Sequence, residues 1–429
     1  MSIHVDIYYW IGLLLAVCFF VLVILEVVRY FETALSLNID GLELKMKTCS
    51  PFWSVLLWSL LFYVLSRVFL IFVFACCRAF DTKTFAGFWD SFLTKLTPWD
   101  APHYIEIIEH GYVNSGEPRL YIVFFPFYPL VCKVFSFATG FGAYLVSIFV
   151  SNVALILSGC VFYRLVEMDS NVVIARRSVV LLMFFPLTYF YSLPYSESLF
   201  LLVTLLSIYF ARNRKWFLSV LFGIFSSNTR VLGLCVAIPV FWEMLCYERS
   251  KMPDLVDKGS LVKQVVKCVL KVSPILLGFV FYLLLNFNVY GNPFQFLIYQ
   301  REHWYQSFGG IANTFVYCFK NLLSYDDIWY RFGVWGPQVF LIVFYPILLF
   351  FVRKRLRSGD VGYSLVYHYV SFMTTWLLSG LRYFSGDYVV YLFLSKMVNK
   401  RWKFWFVFCV ECLLFVCVVY VGLWHVKIY

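Results

Sequence analysis

Charged side chains are scarce in this sequence. Asp, Glu, Lys and Arg make up 14% of the 429 residues, whereas 62% of the residues are hydrophobic and 22% are aromatic. The mean hydropathy is +0.80. A soluble globule of this composition has too little polar side chain to cover its surface, whereas apolar runs of about 20 residues suit a hydrocarbon core about 30 Å thick. The composition therefore predicts an all-α polytopic membrane protein with about 10–12 spans.

Signatures of several enzyme classes are also absent from the sequence. It contains no Gly-rich dinucleotide or P-loop motif, no HExxH zinc motif and no nucleophile elbow. No well-placed Asp-x-Asp pair is present, which argues against a metal-dependent reaction. The 13 cysteines are an odd number scattered mainly through apolar runs, without zinc-ligand spacing or a small disulfide framework. We expect most of them to be free thiols that pack as small hydrophobic groups.

Positive charge is in excess, with a formal net charge of +11. Nucleic-acid binding is one explanation for such an excess, but the Lys and Arg residues stand in short clusters between apolar runs, as the positive-inside rule describes for cytosolic loops. We therefore predict no nucleic-acid site. The clusters expected in the cytosol are 164–177, 212–215, 249–271, 353–357 and 396–403.

The first apolar run, residues 8–28, is predicted to be an anchor that stays in the protein. No basic residue precedes it, and it ends in Glu26-Val27-Val28-Arg29 and not in the small residues of a signal-peptide cleavage site. We therefore divide the chain into an N-terminal anchor span with a cytosolic connector (1–50) and a multispan domain (51–429). Spans of that domain are expected near 51–74, 143–165, 178–193, 195–211, 216–230, 231–247, 269–290, 334–352, 361–380, 386–399 and 403–424.

Two large polar or aromatic segments, 77–142 and 290–333, then fall on the non-cytosolic side. The first segment concentrates carboxylates, histidines and aromatic residues, and a slightly acidic segment of that length favours the side away from the cytosol. The same topology places residues 194–197, 229–230 and 382–384 on that face. All of the candidate site residues described next are therefore predicted to share one face of the membrane.

The stretch 99–112 is predicted to carry the start of a helix and a candidate catalytic group. Asp100 followed by Pro102 is typical of a helix N-terminus, where Asp caps and Pro has no N–H to leave unpaired. By spacing alone, Asp100 is more often a cap, with Trp99 among lipid head groups. The alternative makes Asp100 a general base that takes a proton from a hydroxyl, with His103 orienting the acceptor or tuning the carboxylate.

Three other charged groups interrupt apolar runs. Glu197 either complements a helix dipole at a hairpin tip or serves a site, since an ionisable group so close to hydrocarbon is a functional candidate. Arg230 costs about 2.5–3.5 kcal/mol at a helix centre, so it needs an anion. That anion is either a phosphate, which a guanidinium binds with paired donors, or a carboxylate of Glu197 or Asp100. Arg382 either snorkels to the interface, with Asp387 as a local counter-charge, or joins that site.

Residues 299–309, which include Trp304, also have two interpretations. They can line a sugar site through stacking and hydrogen bonds, or they can form an amphipathic helix at the interface. The pattern favours the interfacial helix.

Several of these motifs together resemble the GPI mannosyltransferase 2 (PIG-V) family, which belongs to the GT-C glycosyltransferases. The resemblance rests on Trp99-Asp100-Ala101 with His103, on Glu109-His110-Gly111-Tyr112 and on Phe124-Phe125-Pro126 with Pro129. Tyr195-Ser196-Glu197 is similar to the family's second motif, Arg230 with Gly233-Leu234 to its third, and Leu381-Arg382-Tyr383-Phe384 to its C-terminal one. In order and rough spacing the motifs run from about residue 51 to the end of the chain.

The resemblance implies a GT-C helical bundle whose first luminal loop, 77–142, carries the catalytic aspartate. It implies an enzyme of the endoplasmic reticulum membrane, with its site in the lumen, that uses dolichyl-phosphate mannose to add the second, α1,6-linked mannose to a GPI precursor. Asp100 would be the base, and Arg230 and Arg382 would bind the donor phosphate. Trp99, His103, Tyr195, Glu197 and Trp304 would bind substrate. No metal and no cofactor would be required, and a small membrane partner subunit is left open.

The chain departs from the family pattern at three places. A polar Ser or Asn often follows the arginine of the third motif, where this chain has Val231-Leu232. Asp387 stands where an apolar residue or Pro is expected, and the first span is an addition at the N-terminus.

Two other functions fit the residues. One is a GT-C transferase with a different acceptor; the other is a transporter or lipid flippase, which predicts two related halves that the sequence does not show.

Overall fold

The computed structural model describes residues 2–35, 50–82, 87–95, 97–252 and 258–425. These residues form 20 α-helices joined by short 3-10 and π segments. Within the described ranges the only β feature is one isolated antiparallel bridge between Phe308 and Thr374. The prediction of an all-α polytopic membrane protein is confirmed.

The first ten helices contain most of the elements that carry the candidate site. They are α1 (Ser2–Leu35), α2 (Phe52–Thr82), α3 (Phe88–Thr94), α4 (Ala101–His110), α5 (Phe127–Thr139), α6 (Ala143–Asp169), α7 (Val172–Phe184), α8 (Glu197–Arg212), α9 (Trp216–Thr229) and α10 (Ala237–Arg249).

The second ten helices complete the bundle and return the chain to the site. They are α11 (Lys258–Val272), α12 (Leu277–Tyr290), α13 (Gln295–His303), α14 (Ile311–Ser324), α15 (Ile328–Tyr330), α16 (Gly336–Val352), α17 (Ser358–Ser371), α18 (Gly380–Ser385), α19 (Tyr388–Met397) and α20 (Arg401–Tyr420).

Seven segments of the described chain are long and apolar enough to cross a membrane. Two bent helix pairs, 117–139 with a 115° bend and 172–192 with a 71° bend, raise that number to nine if each is one span. Two shorter apolar helices, Trp216–Thr229 and Tyr388–Met397, lie beside them. The seven segments are Ile11–Arg29, Phe52–Phe80, Ala143–Asp169, Val231–Arg249, Gly259–Tyr290, Ile328–Arg355 and Arg401–Tyr420.

The N-terminal span packs against the rest of the bundle. Gly12 of α1 lies so close to α14 that a Cβ at this position would meet the carbonyl oxygen of Ala312 at 2.8 Å. The absence of a side chain at Gly12 therefore permits the close approach of the two helices. The connector predicted between the anchor and the second span lies mostly outside the described residues.

One predicted span is wrong in its second half. Residues 361–380 were expected to form one helix, but α17 ends at Ser371 and the chain continues without regular structure to α18. The backbone groups of this stretch pair with the segment after α13: Gly309 and Gly310 donate to the carbonyl of Met373, and Thr375 donates to the carbonyl of Ser307. The backbone N–H and C=O groups of this non-helical stretch therefore find hydrogen-bond partners within the protein. The stretch borders the cavity described below.

A buried charge network joins the C-terminal end of α8 to three other helices. Arg212, whose side chain is fully buried, donates to Asp169 of α6 at 2.7 Å and to Asp360 of α17 at 2.6 Å. Arg357 binds Asp169 at 2.8 Å and Glu243 of α10 at 2.7 Å. The sequence pattern marks Arg212 and Arg357 only as basic loop residues, whereas the structure gives each of them two close carboxylate partners.

Replacing Arg212 with Met is expected to destabilise the protein strongly. Removing one partner of a buried charge pair leaves the other charges uncompensated, which costs about 3–5 kcal/mol. Thermal denaturation in detergent should therefore occur at a clearly lower temperature than for the wild type. The matched control is Arg355→Met, since Arg355 is exposed; equal melting temperatures for the two variants would show that the network contributes no stability.

Candidate active site

Asp100 lies at the N-terminus of α4, as predicted, but its side chain does not cap that helix. The helix begins at Ala101 with Pro102 in its first turn, and the Asp100 carboxylate makes no capping hydrogen bond. The preceding residue, Trp99, has a φ of 51°, which is the left-handed region that a bulky residue rarely adopts. The backbone therefore turns sharply just before α4, but the capping role that is common for Asp is not the one observed here.

Tyrosine side chains tie the turn before α4 to the segment before α8. The hydroxyl of Tyr195 donates to the carbonyl of Pro98 at 2.7 Å, and that of Tyr189 donates to the carbonyl of Lys95 at 2.9 Å. Tyr104 of α4 completes the connection with a 3.0 Å hydrogen bond from its hydroxyl to the Oγ of Ser196. These contacts fix the position of Asp100 relative to the N-terminus of α8.

Four charged residues from four parts of the chain meet at this point. Nη2 of Arg382 lies 2.6 Å from Oδ2 of Asp100, and Nε of the same guanidinium lies 3.2 Å from Oε1 of Glu197. Nη1 of Arg230 lies 2.6 Å from the same Oε1 of Glu197. Two arginines and two carboxylates therefore form a chain, Asp100–Arg382–Glu197–Arg230, that is formally neutral. We call these four residues the charge chain.

The charge chain is largely buried, and not all of its hydrogen-bond donors have partners. Glu197 is 2% exposed, and Asp100 and Arg382 are each 6% exposed. Among the described residues Nη1 of Arg382 has no hydrogen-bond partner. The guanidinium of Arg382 lies 5.1 Å from the ring centre of Tyr195, and that of Arg230 lies 5.3 Å from the ring centre of Tyr383. Aromatic faces therefore support both cations while donor capacity remains unused.

A cavity of about 640 Å³ opens beside the charge chain. Asp100, Arg230 and Arg382 line it together with polar groups such as Ser371. Aromatic and aliphatic side chains line the remaining wall. They include Val123, Phe124, Phe125, Val231, Leu232, Phe279, Phe294, Phe296, Leu297, Ile298, Phe308, Val370, Trp376 and Leu378. The cavity thus combines a charged, hydrogen-bonding region with an apolar one, as an amphiphilic molecule requires.

The other residues predicted to bind substrate divide into two groups. Trp304 lines the cavity and packs edge-on against Phe124, with ring centres 6.3 Å apart. Trp99, His103, Tyr195 and Glu197 are not among the described residues that line it. The structure places Glu197 where it holds both arginines and Tyr195 where it supports Arg382 and the Asp100 turn.

His103 lies on the outer side of α4, half-buried, with its ring centre 4.3 Å from that of Tyr121. Burial lowers the pKa of His103, and the negative charges of Asp100 and Glu117 oppose this shift. A lowered pKa keeps the imidazole neutral at neutral pH, so in the structure His103 is a neutral aromatic neighbour of Asp100 and not a second cation.

Acidification is expected to destabilise the protein through His103. Because folding lowers its pKa, the unfolded chain binds more protons, and stability falls as the pH drops below the ordinary value of about 6.5 towards the lower folded-state value. The melting temperature of His103→Gln should therefore fall less than that of the wild type between pH 7.5 and 5.5. His303→Gln, a change at an exposed histidine, serves as the control; parallel pH curves for the wild type and His103→Gln would contradict the assignment.

Asp387 is not the counter-charge of Arg382 that the sequence suggested. Its fully buried carboxylate accepts hydrogen bonds from Ser364 and from the hydroxyl of Tyr345, and it caps α19 by accepting from the N–H of Val389. The two residues are close in sequence, but Arg382 lies within α18 and Asp387 caps the next helix, α19. Arg382 pairs instead with the distant Asp100 and Glu197.

Arg67 is a structural residue that the sequence interpretation missed. It lies within the apolar helix α2, and its guanidinium donates to the carbonyl of Thr188 at 3.3 Å and to the Oγ of Ser192. It thereby holds the bent segment that leads to Tyr195 and Glu197. A charge inside an apolar run was the signal that marked Arg230, and the same signal was present here.

One group of residues in the described chain has metal-ligand geometry. Potential ligand atoms of Glu106, Glu109 and His110 lie within 4.8 Å of one another on α4. Glu109 and His110 are exposed, and His110 pairs with Glu106 at 3.1 Å. This face of α4 is distinct from the one that bears Asp100 and Tyr104. The group is therefore an exposed i,i+4 cluster of the kind common on helix surfaces.

The fold defines a multi-pass membrane protein whose charged groups converge on one amphiphilic cavity. Comparison with protein families matches residues 70–332, more than half of the chain, to mannosyltransferase (PIG-V). The chain belongs to this family, as its motifs indicated, and it is a membrane-embedded mannosyltransferase. Comparisons with curated proteins and with solved structures found no match. Asp100, Glu197 and Arg230 lie inside the matched residues, whereas Arg382 lies beyond them.

Proposed function

We propose that the protein uses dolichyl-phosphate mannose to add the second, α1,6-linked mannose to a GPI-anchor precursor. The observation that carries this proposal is the cavity of about 640 Å³, in which Arg230, Arg382 and the Asp100 carboxylate stand beside an apolar wall. A polyprenyl-linked phosphate sugar has matching parts, with a lipid chain for the apolar wall, an anionic phosphate for the arginines and a sugar for the polar groups. Family membership supports the mannose.

In this mechanism Asp100 is the general base. It takes the proton from the 6-hydroxyl of the acceptor mannose while that oxygen attacks the anomeric carbon of the donor. The phosphate departs with the bonding electrons and needs no strong general acid, so one carboxylate is sufficient. A single displacement inverts the anomeric carbon. Arg230 and Arg382 stabilise the negative charge that develops on the departing dolichyl phosphate.

The remaining site residues position these groups. We propose that Glu197 fixes both arginines through its shared Oε1, and that Tyr195 and Trp99 hold the turn that presents Asp100. Trp304 supplies an aromatic face for a sugar in the cavity, and His103 packs behind Asp100 as a neutral ring. No step assigned to these residues calls for a metal ion or a cofactor.

The proposal places the protein in the endoplasmic reticulum membrane as a GT-C bundle formed by residues 51–429, with the cavity open to the lumen. The positive-inside distribution of the basic loops supports this orientation. It also gives the two lipid-linked substrates access at the membrane surface, where the apolar wall of the cavity receives a chain from the bilayer. A small membrane partner subunit is compatible with this arrangement and is not needed for the chemistry.

The test is rescue of cells that lack the second GPI mannosyltransferase. Expression of this chain should restore surface GPI-anchored proteins and remove the accumulated one-mannose precursor. Asp100→Asn should be expressed at the same level and leave the precursor in place. Transfer of mannose to another lipid, identified by linkage analysis of the product, would keep the donor assignment and replace the acceptor; absence of any mannose transfer from dolichyl-phosphate mannose would reject the proposal.

A further inference from the structure

The carboxylate of Asp100, the proposed base, already has a charged partner in the structure. Oδ2 of Asp100 forms an ion pair with Nη2 of Arg382 at 2.6 Å, and both residues are 6% exposed. A carboxylate oxygen engaged by a guanidinium at this distance has a strong competing partner for the proton of a substrate hydroxyl. The contact therefore stabilises the free enzyme in a form in which Asp100 is a poor acceptor for a new hydrogen bond.

Arg382 also has the means to leave Asp100. Its Nη1 has no hydrogen-bond partner among the described residues, and the residue lines the cavity. Nε lies 3.2 Å from Oε1 of Glu197 but, like Nη1, makes no hydrogen bond to the described residues, so a second carboxylate stays close to the guanidinium without fixing its orientation. Arg230, by contrast, is held at 2.6 Å by Glu197 and does not contact Asp100. Only Arg382 links the base to the rest of the charge chain.

A phosphate in the cavity competes with Asp100 for this guanidinium. Phosphate oxygens bind a planar guanidinium through two parallel hydrogen bonds, whereas Asp100 engages a single nitrogen. The four residues are formally neutral, so binding of an anion leaves one negative charge in excess and weakens the hold of the arginines on the carboxylates. Entry of the anion and release of Asp100 are therefore coupled.

We propose that Arg382 exchanges partners during the reaction, from Asp100 in the free enzyme to the donor phosphate in the complex. This deepens the proposed function and rests on it. Donor binding frees Oδ2 of Asp100 for the acceptor hydroxyl, so the base becomes available only when there is a sugar to transfer. Arg382 thereby makes activation of the acceptor depend on binding of the donor.

The bonds and charges of the step balance. The hydroxyl oxygen forms a bond to the anomeric carbon, and the bond from that carbon to the phosphate oxygen breaks with its electron pair on the phosphate. The hydroxyl proton passes to Asp100. When dolichyl phosphate leaves, Asp100 gives its proton to water and Arg382 returns to the carboxylate.

The proposal predicts that loss of the carboxylate strengthens phosphate binding. In Asp100→Asn no anion competes for Arg382, so dolichyl phosphate should bind on the order of tenfold more tightly than to the wild type, within the usual range of coupling between two ligands. Loss of a negative charge from the cavity also favours an anion by simple electrostatics, and the Arg382→Gln background described below separates that general effect from partner exchange. The measurement is titration of purified protein in lipid nanodiscs with dolichyl phosphate.

Controls separate this effect from general damage. Asp90→Asn removes an exposed carboxylate from the same luminal segment and should bind as the wild type does. Asp100→Ser is measured in parallel so that the result does not depend on the folding of one variant, and thermal denaturation verifies each preparation. In the Arg382→Gln background, a further Asp100→Asn change should no longer alter the affinity, as expected when two residues act through one contact.

Each outcome decides between the alternatives. Tighter binding by Asp100→Asn or by Asp100→Ser that disappears in the Arg382→Gln background supports the exchange. Equal or weaker binding by both variants overturns it and leaves the proposed function in place. If neither the wild type nor the variants bind dolichyl phosphate, the exchange and the proposed donor both fail.

Discussion

Asp100→Asn is expected to abolish mannose transfer and leave a folded protein in the membrane. The amide has nearly the shape of the carboxylate but cannot accept the proton of the acceptor hydroxyl, and loss of a general base typically lowers a rate by about 10²–10⁴-fold. Glu197 remains beside Arg382, so that guanidinium is not left without a counter-charge. The measurement is transfer of labelled mannose in microsomes, normalised to the amount of protein.

Two comparisons make this result specific. Asp90→Asn, a change at an exposed residue of the same segment, 77–142, should transfer mannose at the wild-type rate. Asp100→Glu keeps the carboxylate but moves it by one methylene, and it should retain part of the activity because a displaced base is still a base. Wild-type transfer by Asp100→Asn would exclude Asp100 as the base and return it to a structural role.

Glu197→Gln is expected to weaken the use of the donor more than the use of the acceptor. The buried Oε1 of Glu197 contacts both Arg230 and Arg382, so its neutralisation removes the group that positions the two proposed phosphate ligands. A break in a buried charge network costs about 3–5 kcal/mol, and the melting temperature should fall as well. Initial rates measured against each substrate separate the effects: KM for dolichyl-phosphate mannose rises and kcat falls.

A different change in the kinetic constants is expected if Glu197 binds the acceptor. If Glu197 binds the acceptor sugar directly, as the motif resemblance first implied, the variant raises KM for the acceptor and leaves KM for the donor unchanged. Glu117→Gln, at an exposed carboxylate of segment 77–142, should change neither constant. Its kinetics set the baseline for loss of one negative charge near the site.

The sequence predicts the local elements of the site better than the contacts between them. Helix α4 begins after Asp100, and the Pro in its first turn, which favours a helix N-terminus, is a signal that needs only neighbouring residues. Which way the Asp100 carboxylate points depends on Arg382, which is far away in the chain. Local spacing therefore favoured the cap, whereas a buried cation supplied by another element makes the ion pair the better partner.

Two errors have the same origin. One of the two interpretations of Arg382 gave it Asp387 as a local counter-charge because they are neighbours in sequence, although Arg382 lies in α18 and Asp387 caps α19. Residues 361–380 read as one apolar span because hydropathy does not register the backbone pairing of Met373 and Thr375 with residues 307–310. Long-range partners decided both cases. The partner of Arg230 was easier to predict. A charge in an apolar run needs an anion nearby, and Glu197 was one of the candidates that the sequence offered.

Helix α8 begins with Glu197, which belongs to the charge chain, and ends with Arg212, which belongs to the other buried charge network. The length of this one helix therefore sets the distance between the two networks at about 22 Å. An insertion or deletion of a single residue in this helix would turn one end by about 100° relative to the other and detach one network. The length of α8 is consequently a fixed dimension of the protein. Substitutions at its half-buried positions Leu206, Tyr209 and Phe210 leave that length unchanged, whereas any insertion or deletion alters it.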